Sequence, residues 1–278
     1  MLKIDSTITL NDSFKMPLLG FGAYRVEDNS NGERVILQAI DAGYRHIDTA
    51  SGYQNESAIG LALKRSPIPR EKLFITSKVM PQEQGRDETP RAIEQILDRL
   101  QTDYLDLLLI HWPHDEKMAA CWDAMQKAVS QKKVKSIGVS NFTCQRFKTF
   151  DTLCTGATPA VNQVEFHTFF QQKELQKECR NRGIVLSGYC PLARAKKLDD
   201  PILSSIAEKH RKLTSQVMIR WSLQQNVPTI PKTSSESRIR QNADVFDFQL
   251  DQDDLNEIDR LCDTFESNLW RPDHEVFY

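Results

Sequence analysis

Residues 73–111 read LFITSKVMPQEQGRDETPRAIEQILDRLQTDYLDLLLIH. A short apolar run ends in a polar cluster, a helical stretch follows, and a second, longer apolar run ends on a histidine. Thr89-Pro90 has the form of an N-cap followed by proline at the first helical position, which opens a helix over 91–100. Strand, helix and strand in about forty residues is the βα repeat of a parallel sheet.

The same alternation extends in both directions. Candidate strands fall at 18–22, 46–48, 74–78, 104–111, 136–139, 160–165, 184–189 and 229–231. Helical patterns lie between them. Val35, Ile36, Ala39 and Ile40 share one face, with Gly43 placed to end that helix, and Ala58, Ile59, Ala62 and Leu63 repeat the arrangement. Further helices are expected over 118–131, 173–182 and 215–225, after Ser235 as a cap, and over 254–262. Ahead of the first unit, Thr7–Leu10 and Phe14–Met16 alternate around the turn Asn11-Asp12-Ser13, which reads as a β-hairpin. Eight such units in one domain over residues 1–278 predict an α/β fold, the (β/α)8 TIM barrel, with the hairpin closing the barrel bottom. A doubly wound dinucleotide fold would need Gly-x-Gly-x-x-Gly after its first strand, and Gly20-Phe21-Gly22 supplies half of it.

Composition narrows the partners. With 36 Lys and Arg against 38 Asp and Glu, the net charge of −2 provides no basic field for nucleic acid. The start of the chain turns polar at once, and no apolar run approaches a membrane span, so neither secretion nor membrane insertion is expected. Six scattered cysteines without a Cys-x-x-Cys pair suit reduced thiols in the cytoplasm.

In a barrel, chemistry sits at the C-terminal ends of the strands. Asp48 ends the second strand, with Tyr53 in the loop behind it; Lys78 ends the third and His111 the fourth. A free tyrosine has a pKa of about 10, and a nearby cation favours the phenolate. Lys78 would supply that cation, Asp48 would hold it, and His111 would orient a carbonyl or assist the relay. Such a set protonates an oxyanion as it forms, but it needs a separate hydride donor.

At this point the chain resembles the aldo-keto reductase family over nearly its whole length, from Met16 to about Phe248. The resemblance lies in Gly43-Tyr44-Arg45-His46-Ile47-Asp48-Thr49-Ala50 with Tyr53-Gln54-Asn55-Glu56, and in Thr76-Ser77-Lys78 and His111-Trp112-Pro113. It continues through Ile137–Phe142, Asn162–His167 and Ile230-Pro231-Lys232 with Arg238 and Asn242. It implies Tyr53 as general acid, tuned by Lys78 and Asp48, with His111 orienting the carbonyl. It implies Ser140, Asn141 and Gln163 at a nicotinamide carboxamide, and Tyr189 stacked on the ring. Gly22, Pro191 and Leu192 fall at further cofactor positions. Lys232, Thr233, Ser234 and Arg238 match the group around the adenosine ribose, and Gln241 and Asn242 the adenine. Two cations there favour the 2′-phosphate, hence NADPH/NADP+.

Three departures from the family pattern stand out. Gln241 replaces a frequent Glu, Ala193-Arg194-Ala195 replaces a glycine-bearing stretch, and Met80 replaces a common aromatic. The short segment after Pro113 is similar to the compact microbial members, with an open mouth whose expected walls are Tyr24, Met80, Trp112 and Trp270. The resemblance thus implies NADPH-dependent reduction of a small carbonyl substrate by a monomer. A metal hydrolase built on Asp48, His111 and His114 is disfavoured by the spacer Trp112-Pro113 and the lack of a second carboxylate cluster, and no metal is expected. A regulatory module that keeps the nucleotide site without turnover is the alternative, disfavoured because all four reactive residues are present.

Overall fold

A computed structural model describes residues 2–262. The hairpin pairs β1 (Thr7–Thr9) with β2 (Lys15–Pro17), antiparallel, with Ile8 opposite Met16. The alternation then runs β3 (Phe21–Gly22), α1 (Ser30–Asp41), β4 (His46–Asp48), α2 (Glu56–Arg65), β5 (Phe74–Val79), α3 (Glu88–Leu100), β6 (Leu105–Ile110) and α4 (Met118–Ser130). It continues with β7 (Val134–Ser140), α5 (Cys144–Leu153), β8 (Val161–Glu165), α6 (Lys173–Asn181) and β9 (Val185–Tyr189). Among the described residues α7 (Pro201–His210), α8 (Thr214–Gln224), α9 (Glu236–Ala243) and α10 (Gln252–Asp259) follow.

Strands β3 to β9 form one parallel sheet of seven in sequence order. The expected eighth strand at 229–231 is reduced to bridges from Thr229 to Leu19 and to Gly188. Pro228 precedes this segment and Pro231 ends it, and proline has no N–H to give a ladder. The ring still closes: Thr229 N–H donates to Leu18 O at 2.8 Å, Gly20 N–H to Thr229 O at 2.9 Å, and Gly188 N–H to Pro228 O at 2.7 Å. The (β/α)8 barrel expected from the alternation is therefore present, with a very short closing strand.

Both faces of the sheet are covered, so β5 and β6 are buried at every residue. Ile47, Ile75, Leu108, Ile110, Ile137 and Val139 pack in the large cluster that includes the helix side chains. Phe74, Leu107, Leu109 and Val161 form a second cluster with Leu10 and Met16 of the hairpin. Phe74 and Val161 are the first residues of their strands, so the hairpin plugs the N-terminal end of the barrel. That leaves the opposite end for polar side chains.

Helix ends differ in detail from the expectation. Gly43 does end α1: at φ 101° it donates to Ile40 O while Tyr44 N–H reaches Ala39 O. Thr89 is not an N-cap. Helix α3 starts at Glu88 behind Asp87, and Thr89 Oγ1 instead ties Gly85 N and Glu83 O. Ser235 stands at the cap of α9, but its hydroxyl lies 3.0 Å from Ser237 Oγ and does not cap the backbone.

Candidate active site

Asp48 and Lys78 stand at the C-terminal ends of neighbouring strands, 1–2% exposed, with Nζ 2.5 Å from Oδ1. Lys78 also donates to Thr49 O at 2.8 Å, and Gln163 Nε2 donates to the other Asp48 oxygen at 2.6 Å. Both carboxylate oxygens are thus engaged. Burial pulls the Lys78 pKa below the usual lysine range, while the adjacent Asp48 carboxylate opposes that shift.

Tyr53 ends a short 3-10 turn, Ser51–Tyr53, and Gln54 behind it takes a left-handed φ of 53°. The turn is tied down through Ser51 Oγ, which lies 2.5 Å from Glu83 Oε2 and 3.0 Å from Lys78 O. The Lys78 ammonium is 5.2 Å from the Tyr53 ring centroid. Tyr24 packs edge-on to Tyr53 at 5.0 Å, and His111 does so from another side at 5.6 Å. Burial first, and then the Lys78 charge, push the His111 pKa well below the usual histidine value, so the ring is neutral near pH 7. His111 Nδ1 lies 3.0 Å from Met80 Sδ. Asp48, Lys78 and His111 from the strand ends and the half-buried Tyr53 from the loop behind the second strand therefore share one corner.

Asn55 and Glu56, part of the quoted motif but given no role in it, prove to be braces. Asn55 Nδ2 donates to Ala23 O and Val26 O, tying the loop of Tyr24 to the loop of Tyr53. Glu56 accepts from Ser77 Oγ at 2.6 Å and pairs with Arg99 at 2.6 Å.

Beside this corner lies an amide and hydroxyl group. Asn141, with φ 63°, donates through Nδ2 to His111 O and to Ser140 Oγ. Ser140 Oγ donates to Gln163 O, and Tyr189 OH donates to Asn141 Oδ1 at 2.8 Å. Gln163 joins the two groups through Asp48. Past Tyr189 the backbone runs left-handed at Cys190, Ala193, Arg194 and Ala195, next to the buried Pro191 and half-buried Leu192.

The cationic group lies at the closing strand. A side chain at Gly22 would come within 2.8 Å of Ile230 O and 3.6 Å of Lys232 Cβ, so only glycine fits there. Lys232 Nζ donates to Ser234 Oγ, and Thr233 Oγ1 accepts from Ser235 N–H. Arg238 and Gln241 are exposed and Asn242 is buried. The pKa of Lys232 is lowered, by burial first and by Arg25 second. Arg25 is the cation that the sequence reading missed; its left-handed φ of 59° places it behind Tyr24 with no motif to mark it.

Of the expected pocket walls, Tyr24 is half-exposed over Tyr53, and Met80 is buried against His111. Trp112 is half-buried, and its carbonyl accepts from Gln84 Nε2 at 2.7 Å. Trp270 lies outside the described residues. Among the described residues no group of three or more His, Cys, Asp or Glu is arranged to hold a metal, and no helix is long and apolar enough to cross a membrane.

The profile of the Aldo/keto reductase family matches residues 18–263. The chain is 45% identical over 260 residues to glyoxal reductase of Bacillus subtilis, covering 93% of each chain. It is 40% identical to a 9,11-endoperoxide prostaglandin H2 reductase of Trypanosoma cruzi, covering 91% of this chain and 90% of that one. Among solved structures, an aldo-keto reductase from a deep-sea metagenome library superposes with a TM-score of 0.93 at 35% identity, over 97% of this chain and all of its own. An aldo/keto reductase of Brucella melitensis gives 0.88 at 39% identity, over 92% and 99%. The chain belongs to the aldo/keto reductase family of oxidoreductases that act on carbonyl groups.

Proposed function

We propose that the protein reduces small aldehydes or ketones with NADPH, and that Tyr53 is the general acid. The observation that carries this reading is the buried Lys78–Asp48 pair with its ammonium 5.2 Å from the Tyr53 ring. A fixed cation stabilises the phenolate and makes the phenol a better acid. Asp48 and Gln163 keep that cation in place, since Lys78 would otherwise be a lone charge out of water. Tyr53 passes its proton to the carbonyl oxygen as negative charge builds there, and His111 borders the same space as a neutral ring.

The donor set fits a nicotinamide dinucleotide. Ser140, Asn141 and Gln163 offer the hydroxyl and amide groups that a carboxamide needs, and the Tyr189 ring lies beside them. Lys232 and Arg238, with Arg25 near Lys232, offer the cations that a 2′-phosphate needs, and Asn242 and Gln241 follow on the same helix. When bound, the cofactor supplies hydride to the carbonyl carbon. Six free cysteines support a reducing, cytoplasmic setting.

The cofactor assignment is tested by kinetics with both coenzymes. Lys232→Gly and Arg238→His should each raise the NADPH Michaelis constant about tenfold or more, consistent with charge-assisted hydrogen bonds of about 1.5–3 kcal/mol, and leave NADH use nearly unchanged. An unaltered NADPH/NADH ratio in both variants would refute the assignment.

A further inference from the structure

The turn that carries Tyr53 has little stiffness of its own. It spans three residues, Ser51–Tyr53, and the middle one is Gly52, the residue type that loses most backbone freedom on ordering. Glu83, at the end of the short turn Pro81–Glu83, holds it from outside with a single oxygen. Glu83 Oε2 accepts from Ser51 Oγ at 2.5 Å and from Met80 N–H at 2.8 Å. The shorter of the two has the length of a hydroxyl donating to a carboxylate, one of the stronger hydrogen bonds in proteins.

Glu83 is itself anchored. Its N–H donates to Met80 O at 2.9 Å, and its carbonyl accepts from Thr89 Oγ1 of α3 at 3.1 Å. Two further contacts close the loop after β5 around the turn. Ser51 Oγ lies 3.0 Å from Lys78 O. Met80 Sδ fills the space beside Gly52, where a Cβ would come within 2.6 Å of the sulfur. The segment from Lys78 to Glu83 therefore grips the turn at Ser51 and Gly52, immediately before Tyr53. It begins with the lysine whose ammonium stands 5.2 Å from the Tyr53 ring.

We propose that Glu83 is a positioning residue for Tyr53: its carboxylate clasps the Tyr53 turn to the loop after β5 and so sets the spacing between the phenol and the Lys78 ammonium. The effect of such a clasp has the opposite sign to that of its charge. A carboxylate acting only as a nearby negative charge opposes ionisation of the phenol, so its removal makes Tyr53 a stronger acid. Without the clasp the phenol moves away from the ammonium and becomes a weaker acid. The inference rests on Tyr53 as the general acid proposed above, but ionisation of the phenol can be read without turnover.

The test is a pH titration by carbon NMR of protein labelled at the tyrosine ζ-carbon, with the Tyr53 signal assigned by its loss in Tyr53→Phe. Glu83→Ala and Ser51→Ala should each raise the Tyr53 midpoint by about half a unit or more, as expected when a cation is held farther away. Glu83→Gln keeps an oxygen for both bonds and removes the charge, so it should leave the midpoint in place or lower it. Single-turnover NADPH oxidation with 4-nitrobenzaldehyde should slow about tenfold in the two alanine variants and no more than about twofold in Glu83→Gln, with NADPH binding unchanged in all three. Ser51→Ala decides the matter if Glu83→Ala does not fold. A midpoint that falls or stays fixed in the alanine variants would overturn the proposal, and so would equal slowing in Glu83→Ala and Glu83→Gln. Absence of turnover by the parent on every aldehyde would count against the proposed reductase function and leave the clasp to stand or fall on the titration.

Discussion

Lys78 is 1% exposed and, among the described residues, pairs with one carboxylate, Asp48, whose second oxygen is held by Gln163. Replacing one partner of such a pair leaves the other charged and out of water. Lys78→Met should therefore cost about 3–5 kcal/mol in addition to removing turnover, seen as a lower denaturant midpoint at unchanged slope. A variant as stable as the parent would mean that Asp48 is better solvated than its 2% exposure implies. Asp48, Lys78, Tyr53 and His111 were legible in the sequence because each ends a strand or follows one. The contacts that organise them were not. Gln163 bonds Asp48 from a strand 115 positions away, and nothing in either local sequence announces the pair. Arg25 sits in a loop and Glu83 in a short 3-10 turn, Pro81–Glu83, neither marked by a motif, so their places near Lys232 and Ser51 appear only once the chain is folded.

At the scale of the element, strands were read more surely than their boundaries. The closing strand shrank to a bridge because Pro228 and Pro231 withhold two donors. Thr89-Pro90 resembled a helix start, yet the Thr89 hydroxyl is used by the preceding loop. Helix α5 buries only Phe147 and Phe150, too few apolar positions to show a clear repeat, and it was not among the expected helices. Helix α7 was not expected either, although Asp200 caps it and Pro201 opens it. The loop after β9 shows the reverse case, a departure noticed in the sequence that the structure explains. Ala193, Arg194 and Ala195 all take left-handed φ values of 47°, 54° and 61°. Residues with a Cβ lose about 1–2 kcal/mol in that region. Ala195 is exposed, so Ala195→Gly should remove this strain without creating a cavity. After allowing for the freer unfolded chain, we expect a gain of about 0.5–1 kcal/mol in urea unfolding. A loss of stability would show that the left-handed turn carries no such strain.

The whole molecule divides its barrel into a dry end and a polar end. The hairpin and the Phe74, Leu107, Leu109 and Val161 cluster fill the first, and the Lys78 site occupies the second. His46 lies in the barrel wall between them, fully buried, bonded through Nε2 to Thr76 Oγ1 at 2.9 Å. Burial lowers its pKa from 6.5 to about 4. The unfolded chain therefore binds a proton here that the folded protein does not. Stability is full above the unfolded value and is lost as pH falls from about 6.5 to about 4, by about 3 kcal/mol for this group. The buried His111 shifts in the same direction. Urea unfolding across that window should show the slope, and His46→Gln should flatten it by about one proton. An identical slope in the variant would assign the acid sensitivity elsewhere.

The central claim is that Tyr53 gives the proton and that the cofactor is bound by other residues. The most direct measurement compares the parent and Tyr53→Phe for NADPH binding by fluorescence and for NADPH oxidation with a panel of aldehydes and α-dicarbonyls. We predict unchanged binding and a loss of turnover of at least about a hundredfold, the lower end of what a positioned general acid contributes. Turnover retained in the phenylalanine variant, or absent from the parent on every carbonyl despite tight NADPH binding, would contradict the account.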